Sequence, residues 1–236
     1  MRTIWNDLFD LFFPRQCLLC KTPLVKGEEH ICIKCQCDLP YTRFSDRDNA
    51  VAQLFTGTIP IAEATAFLYF EQGGHSQTLI HALKYHDNRK LGYYLGRLAA
   101  LELVKNGKNI LSRNGGPPPD FLIPVPLHPQ KQRQRGYNQS EWIARGMYSV
   151  LGVPVDTTSV RRIRSNETQA RKQLYDRRKN VRNIFVLDKT THLQGKHILL
   201  IDDVITTGST IGACAETLSA IPDIRINILG LAVTKH

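Results

Sequence analysis

The chain has 236 residues and a formal net charge of +10 at pH 7. This length suits one sizeable domain with a small appendage. The composition is that of a soluble globular protein. Because no apolar run approaches the ~18–20 residues that a membrane-spanning helix needs, no membrane span is predicted.

The positive charge is concentrated in two short segments. Residues 161–182 contain nine Lys and Arg against two acids, and Lys131, Arg133 and Arg135 form the other basic cluster. The rest of the chain is balanced in charge. A solvated surface would mix the two signs more evenly, so this distribution predicts an anionic partner such as a polyphosphate or a nucleic acid.

An amphipathic helix is predicted at the N-terminus. Its apolar positions are Ile4, Trp5, Leu8, Phe9 and Phe12. Acidic residues interrupt this stripe and no small-residue cleavage site follows, so the pattern is not that of a secretory signal. We therefore expect a cytoplasmic protein whose N-terminal helix packs on its own core. The acidic polar face disfavours a membrane surface.

Two C-x-x-C pairs lie near the N-terminus, separated by 11 residues. They consist of Cys17, Cys20, Cys32 and Cys35. This spacing favours a zinc ribbon in which four thiolates fill all the positions of a structural metal. Disulfides are disfavoured because nothing indicates secretion, whereas an iron–sulfur cluster has a compatible spacing and stays open. The nearby His30 and Cys37 are not expected to be ligands.

The middle of the chain alternates predicted strands and helices. Residues 38–60 have weak periodicity and are predicted to be a loosely packed linker, which divides the chain into residues 1–50 and 51–236. The next predicted elements are a strand at 64–70, a helix from Leu79 to Tyr85 and a second helix at 89–105. Lys84 is equally consistent with a lysine that complements the helix dipole and with a ligand contact.

A buried strand is predicted at 121–125, close to the first basic cluster. Alternating prolines should hold 124–129 as a rigid, extended loop, and the basic segment 131–140 follows before a helix that runs to about Leu151. Ligands of open α/β sheets bind beyond the carboxyl ends of the strands. This basic segment is therefore well placed to contact an anion.

The last third begins with the second basic segment, 160–183, which is predicted to be a polar loop. It leads through a short strand at 185–187 to a strand at 198–201, whose four consecutive apolar residues indicate burial on both faces. A helix follows, with apolar positions Ile211, Cys214, Ala215 and Leu218. A final strand is predicted at 224–233.

Between this buried strand and the helix lies the motif that carries the chemistry. Asp202 and Asp203 follow where the strand should end, and a small polar loop comes next. The loop consists of Thr206, Thr207, Gly208, Ser209 and Thr210. Backbone N–H groups of such a loop and of the helix N-terminus bind phosphate, and Gly208 permits a left-handed turn or a close approach. The carboxylates would repel the phosphate, so ribose hydroxyls or hydrated magnesium are their expected partners.

An NTPase or a receiver domain accounts for the motif less well. A Walker B strand also ends in acids, but the chain lacks the G-x-x-x-x-G-K-[ST] loop that an NTPase needs. A receiver domain carries its acidic pair on the first strand, and here the pair lies near the end of the chain. An ordinary buried strand with a polar turn leaves two consecutive acids unexplained.

The motif resembles the phosphoribosyl-pyrophosphate (PRPP) signature of type I phosphoribosyltransferases. The resemblance implies that Asp202 and Asp203 hold the ribose hydroxyls, that 206–210 holds the 5-phosphate, and that magnesium accompanies PRPP. It also implies a catalytic loop at 161–182 that closes over the site. Candidate contacts to pyrophosphate are Arg135, Arg164, Arg177, Arg178 and Lys179.

The ordered set of motifs resembles the ComF family across nearly the whole chain. The set comprises the four-cysteine ribbon, Leu83-Lys84-Tyr85, Pro124 to Pro129, Arg135-Gly136-Tyr137-Asn138-Gln139-Ser140, Thr168-Gln169, Arg178-x-Asn180-Val181 and the PRPP motif. The resemblance implies a phosphoribosyltransferase-like α/β fold: a mainly parallel sheet, helices on both faces and an N-terminal zinc ribbon. An extra glycine that many phosphoribosyltransferases have is absent between Val204 and Gly208.

The resemblance implies a PRPP-binding protein that acts in DNA uptake during natural transformation or in processing imported DNA. Single-stranded DNA or a helicase-like protein is the expected partner. If the protein is an enzyme, it displaces pyrophosphate at the ribose anomeric carbon, with an acceptor that the sequence does not identify. Two alternatives stay open: a non-catalytic DNA-binding adaptor with a relic PRPP fold, and a metabolic phosphoribosyltransferase for a purine-like base.

Overall fold

The computed structural model describes residues 14–44, 49–85, 88–105, 117–164 and 184–235. Four parallel strands form the central sheet: β1 (Glu63–Phe70), β2 (Phe121–Pro124), β5 (His197–Ile205) and β6 (Arg225–Thr234). Their order in the sheet is β1-β6-β5-β2, which places β5 and β6 inside. A separate antiparallel ribbon pairs β3 (Val160–Arg162) with β4 (Phe185–Leu187). The predicted N-terminal helix lies outside the described residues.

Helices cover both faces of the sheet, which confirms the predicted α/β class. The helices of the described residues are α1 (Ile33–Cys37), α2 (Ala50–Gln53), α3 (His75–Lys84), α4 (Arg89–Lys105), α5 (Pro129–Arg135), α6 (Gln139–Leu151) and α7 (Ser209–Leu218). The helices α3, α4 and α6 pack in one apolar cluster with Leu199 and Ile201 of β5. On the opposite face, α2 and α7 pack with Ile198 and Leu200.

The continuous apolar run in β5 explains its central position. Residues 198–201 are fully buried, and their side chains alternate between the two clusters. Burying each such side chain contributes about 1.5–3 kcal/mol. A strand that is apolar on both sides is therefore most stable between two neighbours and under helices on both faces.

Two glycines let α4 and α6 cross at very short range. A Cβ atom added at Gly96 would lie 2.0 Å from the carbonyl oxygen of Ile143, and one added at Gly146 would lie 2.0 Å from that of Tyr93. Neither position can accept a side chain without separating the helices. This crossing fixes α6, whose N-terminus reaches the carboxyl edge of the sheet.

Three sequence predictions need correction. The strand β5 does not end before the acidic pair but continues to Ile205, because β-branched Val204 and Ile205 still pair with Ala232 and Val233 of β6. The predicted loose linker at 38–60 is wrong for its described part. There Asn49 caps α2, and Val51 and Phe55 are buried in the core.

The third correction concerns the extended loop predicted at 124–129, because Pro129 already begins helix α5, which continues through the basic residues to Arg135. Pro129 suits the first turn of this helix because its missing N–H has no partner there in any helix. His128 caps the start, with its Nδ1 atom 3.3 Å from the backbone nitrogen of Gln130. Gly136 ends the helix in a left-handed conformation, with φ of 78°. The extended loop therefore stops at residue 128.

Candidate functional site

The ladder between β2 and β5 opens just before the acidic pair. Its last backbone bond runs from the nitrogen of Val125 to the carbonyl oxygen of Ile201, across 2.8 Å. Beyond it, the side-chain amide of Asn138 donates to the carbonyl of Val125 (3.1 Å). On β5, the backbone N–H of Asp203 donates to Oδ1 of Asp202 (2.9 Å). Side-chain hydrogen bonds thus replace the backbone pairing of β2 with β5, and the two carboxylates lie where these strands separate.

Asp202 is the more buried of the two acids, with 9% of its surface exposed. The hydroxyl of Ser140, in the first turn of α6, donates to its Oδ1 atom across 3.1 Å. Burial, together with the negative charge of Asp203, raises the pKa of Asp202 to about 7. The donors Ser140 and the Asp203 N–H oppose this rise. An arriving cation or hydroxyl donor would therefore favour the ionised form of Asp202.

Asp203 points to the other face of β5 and meets a lysine. The Nζ atom of Lys84 lies 3.5 Å from Oδ2 of Asp203, and both side chains are partly exposed. Lys84 is the last residue of α3, and the hydroxyl of Tyr137 holds this helix end by donating to the carbonyl of Leu83. This contact with the acidic pair was neither of the two interpretations of Lys84 that the sequence left open, and a ligand contact stays a prediction.

The loop after β5 turns sharply at Gly208. This residue has φ of 72° and caps the N-terminus of α7, where the N–H of Gly212 already donates to its carbonyl (2.8 Å). The first N–H groups of a helix have no partner within the helix. Thr206, Thr207 and Ser209 are exposed beside them. The turn therefore places the first N–H groups of α7 beside exposed hydroxyl side chains, and such groups can bind an anion.

The underside of the turn is filled by an aromatic ring. A Cβ atom on Gly208 would lie 3.0 Å from Cε1 of Phe55, the residue that the linker prediction had left outside the core. The hydroxyls of Thr207 and Ser209 lie 2.7 Å apart on the exposed side. Glycine is therefore required at 208 both for its left-handed backbone and for its contact with Phe55.

The predicted basic residues are only partly placed. Arg135 ends α5 and donates from Nη1 to Oε1 of Gln139 (2.9 Å), which holds it at the N-terminus of α6. Arg164 is exposed just after β3, and its carbonyl accepts from Nε of Arg162 (3.2 Å). The remaining three candidates, Arg177, Arg178 and Lys179, lie outside the described residues.

Sequence reasoning missed two neighbours of Asp202. Ser140 belongs to a motif that carried the family resemblance, but nothing local marks its hydroxyl as a partner of an acid on another strand. Arg162 on β3 is half-buried, with its guanidinium 5.5 Å from the ring of Phe185. Burial lowers the pKa of Arg162, and the negative charge of Asp202 opposes that shift. The β3–β4 ribbon, which bounds the second basic segment, thus carries a cation that interacts electrostatically with Asp202.

The four predicted cysteine ligands converge, with all their sulfur atoms within 4.8 Å of one another. Cys20 and Cys32, from different pairs, have Sγ atoms 3.6 Å apart. Tetrahedral zinc with Zn–S bonds of ~2.3 Å needs sulfur separations of about 3.8 Å. Cys37 and His30 lie outside the cluster, as predicted. The cluster fits a four-thiolate metal ion.

The cysteine cluster is part of the main core. Cys17, Cys32 and Cys35 are buried in the same apolar cluster as Leu95 of α4. Outside the cluster, the Tyr94 hydroxyl donates to Oε1 of Gln36 across 3.1 Å. The segment that contains the four cysteines therefore packs against α4, as expected of a segment too short to have a core of its own.

Comparisons with known proteins give relatives of two descriptions. The DNA utilization protein YhgH of Escherichia coli O157:H7 is 30% identical over 223 residues, which cover 88% of this chain and 92% of the relative. Competence protein F of Haemophilus influenzae is 35% identical over 115 residues, 48% of this chain and 50% of the relative. This chain belongs to the ComF family.

Other similarities to this ComF-family chain are more limited. Competence protein ComFC of Bacillus subtilis is 32% identical over 98 residues, 41% of this chain and 37% of the relative. Among solved structures, the glutamine PRPP amidotransferase of B. subtilis has a TM-score of 0.35 at 18% identity and covers 58% of this chain and 25% of its own. No family model matches the chain. In the described part of this ComF-family protein, no helix has the length and hydrophobicity to cross a bilayer.

Proposed function

We propose that this ComF-family protein binds PRPP with Mg²⁺ at the carboxyl edge of its sheet. Asp202 and Asp203 contact the ribose hydroxyls, and 206–210 encloses the 5-phosphate. The observation that carries the proposal is the continuity of the two features: one strand presents the acidic pair, and the open turn at Gly208 follows directly. A sugar phosphate can therefore contact both at once.

The donor types match the ligand. Mg²⁺ prefers oxygen ligands and usually binds one or two carboxylates plus phosphate oxygens, and the acidic pair supplies such carboxylates. When bound, Mg²⁺ would neutralise part of the diphosphate charge. Hydroxyl donors or a cation near Asp202 would also lower its raised pKa and thereby couple ligand binding to its ionisation.

The cations around the acids suit the pyrophosphate end of PRPP. Lys84 is within 3.5 Å of Asp203, and Arg135 lies beside the N-terminus of α6. We infer that Lys84, Arg135 and Arg164 contact pyrophosphate, together with Arg177, Arg178 and Lys179. If the protein turns over, these cations stabilise the departing pyrophosphate while the aspartates orient the ribose. The acceptor stays unidentified.

The names of the relatives support a biological setting for this protein. Since their names refer to DNA utilization and competence, we propose that this protein acts in DNA uptake or in the processing of imported DNA. The cysteines form no disulfide, and we propose a reducing compartment such as the cytoplasm. We further infer that the metal of the cysteine cluster is zinc with a structural role.

Calorimetry of the full chain with PRPP and Mg²⁺ tests the site. We expect saturable binding by the wild type and a loss of at least about 100-fold in affinity when Asp202→Asn and Asp203→Asn are combined, because two ligand-contacting carboxylates are lost. Glu29→Gln is the matched control, since this exposed carboxylate pairs with Arg97 of α4 outside the site. Unchanged PRPP affinity in the double variant would refute the site.

A second candidate function is binding of single-stranded DNA, which a surface of α4 and α6 favours. Exposed Arg89 lies 5.9 Å from the ring centroid of half-buried Trp142, and Arg145 lies 5.7 Å from the same centroid. Stacked cations and aromatic rings are the elements of sequence-tolerant recognition of single strands. This surface suits a DNA-binding adaptor whether or not the protein has enzymatic activity.

Measurements of DNA binding and of PRPP binding distinguish the two candidate functions. For the adaptor, fluorescence anisotropy should show an oligonucleotide affinity that falls steeply with salt and survives loss of both aspartates. Arg89→Gln together with Arg145→Gln should weaken DNA binding and leave PRPP binding unchanged. DNA affinity that is insensitive to both arginines would exclude this surface.

A further inference from the structure

Two basic side chains lie side by side at the amino edge of the sheet, opposite the acidic pair. His197 begins β5 and Arg225 begins β6, and the two residues are register partners. Side chains alternate along a strand, so both lie on the face of Leu199 and Leu229, which α4 and α6 cover. At ~3.3 Å per residue, the length of β5 puts them about 25 Å from the turn at Gly208.

Three nitrogen atoms of these two side chains are buried and have no hydrogen-bond partner. Nε and Nη2 of Arg225 are both shielded from solvent without a hydrogen-bond partner, and so is Nε2 of His197. Nε and Nη2 form one edge of the guanidinium, the fork that pairs with two oxygens of a carboxylate or phosphate. Buried donors without an acceptor are rare in folded proteins because each has lost its hydration.

The neighbouring acids do not supply the acceptor. Asp120 receives Nζ of Lys196 on Oδ1 (3.1 Å) and the backbone N–H of His197 on Oδ2 (2.9 Å). Glu63, the register partner of Asn227 on β1, accepts from neither donor atom of the Arg225 fork. Asn227 lies near His197, but its Oδ1 atom accepts from neither Nε2 of His197 nor the Arg225 fork. The fork is therefore held beside a histidine nitrogen, and no described residue supplies it with an anion.

The backbone at this edge holds the two residues in fixed positions. The N–H of Arg225 donates to the carbonyl of Lys196 (2.8 Å), and the N–H of Asp120 donates to that of His197 (2.7 Å). Both His197 and Arg225 are only partly buried as whole residues. An anion therefore reaches the shielded donors when the exposed parts of these two side chains move aside, while the fixed backbone reduces the ordering cost of binding.

We propose that Arg225 and His197 form a second binding site, for a small oxyanion of the phosphate or carboxylate class. The Arg225 fork donates two parallel hydrogen bonds to two oxygens of the anion, and Nε2–H of His197 donates a third. The site is separate from the acidic pair and does not depend on PRPP binding.

Nuclear magnetic resonance of the full chain tests the site through the Arg225 Nε–H signal, assigned by its loss in Arg225→Lys. The protein is titrated with inorganic phosphate and, separately, with acetate, at ionic strength held constant with sodium chloride. We expect this signal to shift and saturate with at least one anion. Phosphate alone would indicate a phosphate ligand, and acetate alone a carboxylate. Because the readout is local, phosphate at the distant turn cannot produce the shift.

Matched variants separate fork recognition from general charge. Arg225→Lys keeps the charge but removes the fork and should weaken binding, measured by calorimetry, at least about tenfold. Lys196→Gln removes a cation from the same edge and should leave it unchanged. No saturable shift with either anion, or a crystal structure grown with phosphate in which only waters contact the fork, would overturn the proposal. Should Arg225→Lys not fold, the wild-type titration and crystal decide alone.

Discussion

The Ser140 hydroxyl donates to Oδ1 of Asp202 across 3.1 Å, although 62 residues separate the two in the chain. This bond joins the N-terminus of α6 to the strand that carries the acidic pair. It lowers the pKa of a carboxylate whose burial acts in the opposite direction. The charge state of the candidate site therefore depends on how α6 packs against the sheet.

Stability should depend on pH through Asp202. Its pKa is raised from the ordinary 3.8 to about 7, so between pH 4 and 7 the folded chain keeps a proton that the unfolded chain has lost. Stability contributed by this group therefore falls as pH rises through that window and stays low above it. Asp202→Asn should raise the free energy of unfolding above pH 7 by about 1–3 kcal/mol, and little near pH 4.

Thermal unfolding of the ligand-free protein at pH 4.5 and pH 8, in buffer without added Mg²⁺, checks this expectation. Asp188→Asn, at an exposed ion pair with Arg161, is the control and should show no comparable pH-dependent gain. If Asp202→Asn were less stable than the wild type at pH 8, Asp202 would not carry the unfavourable charge that its burial implies.

Removal of the Ser140 hydroxyl should raise the pKa of Asp202 further. Ser140→Ala removes a donor to the charged carboxylate, and we expect a rise of about 0.5–1 pKa unit. Carbon-13 titration of the Asp202 carboxyl measures it. Ser149→Ala is a control on the same helix, because its hydroxyl donates to the carbonyl of Gly146 and not to an acid. Equal pKa values in the two variants would mean that the bond does not act on Asp202.

Gly208→Ala should destabilise the fold by two separate effects. Alanine at a left-handed φ of 72° costs about 1 kcal/mol, and its Cβ would also press on Phe55 at 3.0 Å. Gly195→Ala isolates the first effect, since Gly195 has φ of 69° and nothing within 4 Å of an added Cβ. Chemical denaturation should therefore show a loss at 208 that exceeds the loss at 195 by about 0.5–2 kcal/mol. Equal losses would show that Phe55 yields freely.

Loss of one cysteine ligand should release the metal. Cys20→Ser removes a cluster thiol, and elemental analysis should find well under one zinc per chain, with a melting temperature lower by several degrees because the cluster shares the core of α4. Cys37→Ser is the matched control, an exposed thiol outside the cluster. Stoichiometric zinc in Cys20→Ser would remove Cys20 from the ligand set, and iron with visible absorbance in the wild type would replace zinc by an iron–sulfur cluster.

Local patterns in the sequence predicted most of what depends on neighbouring residues. The continuous apolar run of β5, the C-x-x-C pairs and the sequence Asp202-Asp203 before a glycine turn each reflect geometry within a few residues. Periodicity of two or 3.6 and fixed ligand spacing survive in any tertiary context. The sequence therefore sufficed for the parallel α/β class, the cysteine cluster and the unit of strand, acids and turn.

Contacts between distant segments required the folded chain. Ser140 contacts Asp202, Lys84 contacts Asp203, and Phe55 contacts Gly208. No neighbouring residue in the sequence indicates these contacts, because they depend on the order of the strands and on the glycine crossing of α4 and α6. The same holds for the Arg225 fork beside His197, which only the register of β5 and β6 brings together. The sequence alone determines which segments can form strands or helices. Which side chains become neighbours is decided only in the folded chain, because both faces of β5 must be buried under helices and between strands.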